Sequence, residues 1–74
     1  MENGIMISTL NNKKYAQITS INNKLPDEYR LTYDAETKMA VCKKNNISFI
    51  VTVINGASHI DYNDFNKYLK PLIQ

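Results

Sequence analysis

Ile47-Ser48-Phe49-Ile50-Val51-Thr52-Val53-Ile54 is the stretch on which the fold turns. Strand side chains alternate between faces, so Ile47, Phe49, Val51 and Val53 share one side. Ile50 and Ile54 share the other with Ser48 and Thr52. Apolar residues on both sides predict a central strand, sheltered front and back. The run ends at Asn55-Gly56, a strong turn signal.

Downstream lies the clearest element, a C-terminal helix. Asp61 is a good N-cap, and Asp64 three residues on imitates a capping box near the positive end of the helix dipole. Ile60 and Phe65 occupy the two positions of a hydrophobic staple. Tyr62, Phe65, Leu69 and Leu72 recur at three- and four-residue steps and make one apolar stripe. Lys67 and Lys70 stand near the C-terminal end, and Pro71 is expected to end or kink the helix.

Upstream, four shorter β-like runs precede the central one. Ile5–Leu10 reaches Asn11-Asn12-Lys13, where asparagine tolerates the positive φ of a tight reversal. Tyr15–Ile21 returns as a second strand. Asn22–Asp27 reads as a loop, since Pro26 cannot donate to a ladder. Tyr29, Leu31 and Tyr33 then alternate with Arg30, Thr32 and Asp34, which predicts a strand with one buried face. Asp34–Thr37 turns the chain, Lys38–Lys43 returns with Met39 and Val41 on one side, and Asn45-Asn46 reads as a two-residue reversal. The expected architecture is α+β: an antiparallel sheet of about five strands, a hairpin plus a three-stranded meander, with one C-terminal helix packed on it. A half-open β-barrel with a terminal helix is the alternative.

These elements conflict in one respect. A helix from Tyr62 to Lys70 is ~14 Å long at ~1.5 Å per residue. It covers part of one face of a sheet whose strands lie ~4.8 Å apart. Either the sheet curls so that its halves cover each other, or a second molecule covers the other face, most simply a second copy of the chain. Ile50→Asp or Ile54→Asp is accordingly expected to damage folding or assembly, because each would bury an unpaired charge.

Composition narrows the function classes. Seventy-four residues make a single domain with a thin core. Met1–Gly4 are expected to be disordered. One cysteine excludes a disulfide within the chain, and Cys42 with His59 cannot supply a four-ligand zinc site. No apolar run approaches the ~18 residues of a membrane span. The N-terminus lacks the charge and apolar run of a signal peptide, so the cytoplasm is the expected location. No cofactor is expected, since the only glycines are Gly4 and Gly56 and no phosphate-cradling loop exists.

Catalytic chemistry finds little purchase. Cys42 and His59 are the only thiol–imidazole pair, yet Cys42 falls mid-strand, where a free cysteine is a small buried hydrophobe. His59 reads as a polar loop residue before the helix. Capping accounts for Asp61 and Asp64 without a ligand. The chain is therefore expected not to be an enzyme. Five tyrosines and three methionines exceed what so small a core needs, and both types are favoured at protein interfaces. Tyr15, Tyr68, Ile50 and Ile54 are the expected partner-binding residues. Lys13-Lys14 and Lys43-Lys44 carry the alternative, a β-sheet nucleic-acid binder in which lysines hold phosphates around exposed tyrosines. The net charge of only +2 counts against that alternative.

The asparagine pairs and the abundant isoleucine suggest coding in an AT-rich genome, such as a low-GC bacterium or its phage. In size and in this bias the chain resembles the small accessory proteins of phages and mobile elements. That resemblance implies a protein that binds and blocks a larger host protein, for instance a defence nuclease, and it assigns no residues. The expected function is a small non-enzymatic protein-binding module, acting as a homodimer on a larger host protein.

Overall fold

The computed structural model describes residues 4–73. Of the four N-terminal residues expected to be disordered, Met1–Asn3 lie outside that range. Gly4 sits in a turn at φ +79°, and Ile5 beside it is fully buried. The architecture is α+β with a terminal helix; the described residues form seven short strands in two antiparallel sheets of four and three that make a curled half-barrel. No helix among the described residues is long and apolar enough to cross a membrane.

Turn chemistry places the hairpins. Strand β1 (Ile7–Leu10) and strand β2 (Lys13–Gln17) are joined by Asn11 and Asn12 at φ 53° and 66°. Two consecutive positive values are what a type I′ hairpin turn requires. Asn55 and Gly56, at φ 50° and 79°, join β6 (Thr52–Ile54) to β7 (Ala57–Asp61) in the same way. Strand β3 (Leu31–Asp34) turns into β4 (Met39–Cys42) around Asp34, whose Oδ1 accepts from the Glu36 N–H at 2.9 Å. Asn45-Asn46 departs from expectation. Cys42 pairs with Ile47, the first residue of β5 (Ile47–Ile50), so the connection spans residues 43–46. Only Asn46 there has positive φ, as in longer loops built on a type I turn.

Two expected strand segments are not strands. Ile18–Asn22 is a short helix, α1, rather than the end of β2. The Ser20 hydroxyl donates to the Gln17 carbonyl at 2.9 Å and accepts from the Met6 N–H at 3.0 Å. That side chain gives the backbone a local alternative to the ladder and lets Ile21 swing into the core. Residues Asp27–Tyr29 form a 3₁₀ turn, which takes Tyr29 out of β3. Leu31 is buried as expected, but Tyr33 is 59% exposed.

The decisive run is broken at Val51. Ile47–Ile50 pairs with β4 in the sheet ordered β3-β4-β5, and Thr52–Ile54 pairs with β7 in the sheet ordered β1-β2-β7-β6. As far as Val51 its odd-numbered side faces the core: Phe49 is 2% exposed, and Ile47 and Val51 pack against the core cluster. Val53, expected on the same side, is 65% exposed in β6. Its even-numbered side is not covered. Ile50 is 75% exposed, and Thr52 and Ile54 are half-buried. The expectation of shelter on both faces is therefore overturned in the single chain. The curl of the sheet closes the odd-numbered side of residues 47–51 and leaves Ile50 outside, while in β6 Val53 is the exposed residue.

The second helix, α2, covers residues 62–73. The Asp61 carboxylate caps it by accepting the Asn63 N–H at 2.8 Å. Ile60, Phe65 and Leu69 are all fully buried in the one core cluster, as the staple and stripe predict. Pro71 does not end the helix. The turn Phe65–Leu69 is π-helical, with the Lys70 N–H reaching back to the Phe65 carbonyl, and the helix continues through Lys70–Ile73. The wider turn lies where an α ladder would set the proline ring against the Lys67 carbonyl.

Candidate interaction surface

Register determines which side chains share the open face of the four-stranded sheet. Residues paired across strands lie on one face. Ser8 stands opposite Tyr15 and Tyr15 opposite Asp61. In the next row, Gln17 stands opposite His59 and His59 opposite Thr52. Alternation adds Met6 and Leu10 from the β1 side and Ile54 from β6. The reverse face holds Ile7, Ala16 and Ile60 and is the core side, with Ala16 and Ile60 fully buried.

The open face is amphipathic. Met6 is 49% and Leu10 39% exposed; Leu10 ends β1 and Met6 immediately precedes it. Tyr15 is half-buried at the middle. At the far side a cleft of about 170 Å³ is lined by Lys13, Tyr15, Ile50, Thr52, Asp61 and Asp64. Lys13 Nζ pairs with Asp61 Oδ2 at 3.4 Å and lies 6.0 Å from the Tyr15 ring centre. Ile50 thus projects beside a tyrosine, flanked by both signs of charge. This mixture of tyrosine, methionine and aliphatic groups with a polar surround is typical of protein interfaces.

His59 lies on this face and not in a loop, which corrects the sequence reading. It is 2% exposed. Its Nδ1 is 2.8 Å from the Ala57 carbonyl, which can only accept, so Nδ1 carries a proton. In the neutral ring Nε2 is then the acceptor for the Ser8 hydroxyl at 2.9 Å. Ser8 is on β1 and His59 on β7, with β2 between them, so the imidazole lies across β2 and ties three strands together. A serine–histidine contact of this length is also what proton transfer needs. Both ring nitrogens are engaged and the ring is enclosed, so the pair holds β1 to β7. Cys42, fully buried on the core side of the other sheet, donates to the Tyr29 carbonyl at 3.2 Å and is not beside His59.

The structure brings Tyr15, Ile50 and Ile54 onto one side but not Tyr68. Tyr68 packs edge-to-face on Phe49, with ring centres 6.0 Å apart, and Phe49 points away from Ile50. The basic pairs are also divided. Lys13 and Lys14 are successive on β2 and project to opposite faces, Lys14 lying 5.4 Å from the Tyr62 ring centre. Lys43 and Lys44 are in the β4–β5 loop, where Lys44 Nζ meets Glu28 Oε2 at 3.6 Å. Sequence reasoning missed Met6 and Leu10, whose alternation with Ile5 and Ile7 was the available signal. It also missed Tyr33, which hangs over a groove of about 460 Å³ between α1, β3 and the β6–β7 turn.

Compared with family models, curated proteins and solved structures, the chain matches none.

Proposed function

We propose that the chain is a small non-enzymatic protein-binding module that modulates a larger protein by occupying part of its surface. The observation that carries this reading is the exposed Ile50 across a cleft from Tyr15, whose own sheet face also carries Met6 and Leu10. Exposed apolar groups gathered on one face of so small a domain mark a binding site. The size and the asparagine- and isoleucine-rich composition support an origin in a phage or mobile element, with a host protein such as a defence nuclease as target. A lone, buried Cys42 fits action in a reducing cytoplasm. Affinity capture from the native host tests the reading. The native chain is expected to retain one larger protein that Ile50→Asp releases; retention by both would exclude this face.

The alternative, a β-sheet nucleic-acid binder, draws on Lys13 beside the Tyr15 ring. Against it, Lys13 and Lys44 each already pair with an acid. Phosphate-driven binding is strongest at low salt. Failure to retain DNA or RNA at low ionic strength would remove this alternative.

A further inference from the structure

We propose that β1 is the place where a second copy of the chain joins the sheet, strand against strand and antiparallel, with the two-fold axis at Ser8. Among the described residues, in the order β1-β2-β7-β6, strand β1 has a free edge, and its substantial contacts are with β2 alone. The two-residue turn at Asn11-Asn12 decides which backbone groups face outward. Residues flanking such a turn, Leu10 and Lys13, exchange hydrogen bonds, and bonded pairs then alternate along the ladder. The Gln17 N–H to Met6 carbonyl bond of 2.9 Å is in phase with this pattern. The N–H and C=O of Ile7 and Thr9 are therefore directed away from β2.

The edge is also unguarded. Sheet edges are normally blunted by charge, by proline, by shortness or by a covering group. Residues 5–12 contain neither a charged residue nor a proline. The free edge of β3 shows the contrast. There the Asn22 carboxamide closes Leu31, donating to its carbonyl at 3.0 Å and accepting its N–H at 2.8 Å, as a neighbouring strand would. Strand β6 is only three residues long.

Self-complementarity identifies the occupant. Outward-directed groups must meet outward-directed groups, so Ile7 has to face Thr9 of the partner subunit, or each has to face its own copy. With the axis at Ser8, Met6 falls opposite Leu10 of the partner subunit, and Leu10 opposite Met6 of the partner subunit. The exposed side chains of Met6, just before β1, and Leu10, at its end, then meet in symmetric pairs. With the axis at Thr9, Met6 would face Asn12 of the partner subunit. With the axis at Ile7, Leu10 would face Gly4 of the partner subunit. Only the Ser8 register pairs the two exposed apolar residues, Met6 and Leu10, with each other, and it opposes no like charges. A two-fold pairing of this kind is the isologous contact of a closed dimer. It creates an eight-stranded sheet whose open faces are continuous, and it does not depend on the partner proposed above.

Sedimentation equilibrium with two variants tests this. The native chain is expected to show twice the mass of one chain. Thr9→Pro, which removes an outward N–H that the single chain does not use, is expected to show one chain mass with an unchanged circular-dichroism spectrum. Ser8→Cys is expected to form a disulfide-linked dimer on mild oxidation. Facing residues of a non-hydrogen-bonded pair have Cα atoms ~4.5 Å apart, which is within disulfide reach. Leu10→Cys is expected to form none. A single-chain mass at every concentration would overturn the proposal, as would a dimer that survives Thr9→Pro and gives no Ser8→Cys cross-link. A monomer that loses capture of another protein on Thr9→Pro would overturn it in favour of a foreign strand at the same edge.

Discussion

Ser8 and His59 are joined by one hydrogen bond across a strand, and the physical cost of losing it is specific. Ser8→Ala leaves Nε2 of an enclosed imidazole without its partner. A buried polar atom stranded in this way costs about 1–3 kcal/mol, and urea unfolding of the variant is expected to show a loss in that range. Asn66 presents the reverse case. Among the described residues its Oδ1 is buried without a hydrogen-bond partner, so Asn66→Leu removes a desolvated oxygen. That variant is expected to be as stable as the native chain or up to about 1 kcal/mol more stable. Neither residue was legible beforehand, because a sequence shows which groups need partners and not which ones meet.

Among the elements, those specified by local chemistry were readable and those specified by the sheet were not. Asn11-Asn12, Asn55-Gly56 and the Asp61 cap act through their own backbone angles and side-chain oxygens, and each appears where its residues predict. Strand β7 was hidden, although a two-residue turn at Asn55-Gly56 must return into a strand. In Ala57-Ser58-His59-Ile60-Asp61 only Ile60 is a strong β-former. Helix α1 was hidden because Ile18 and Ile21 fit a strand as well as a helix until Ser20 folds back on Gln17. The helix stripe of α2 was legible in full, but its π turn was not, since proline announces a disturbance without saying how the chain absorbs it. Loss of the Asp61 cap by Asp61→Ala is expected to cost about 1 kcal/mol, read as a lowered urea midpoint.

At the scale of the whole molecule, the sequence carries the alternation of the run 47–54 and not the extent of its shelter. Hydrophobicity on both sides reads as double burial, whereas the half-barrel buries Phe49 and leaves Ile50 outside. The surplus apolar surface is then available for association, through the open face for a larger protein and through the β1 edge for a second copy. The two surfaces are separable by mutation. Ile50→Asp is expected to abolish capture of the larger partner and leave the dimer mass unchanged, and Thr9→Pro is expected to abolish the dimer.

The parity of Ile47–Val51 underlies all of this, and equilibrium urea unfolding of Ile50→Asp tests it most directly. Surface substitutions of this kind change stability by no more than about 0.5 kcal/mol, so the variant is expected to unfold within that margin of the native chain. A loss of 3 kcal/mol or more, roughly the scale expected for emptying a core position such as that of Phe49, would place the Ile50 side chain in an interior and contradict the open face.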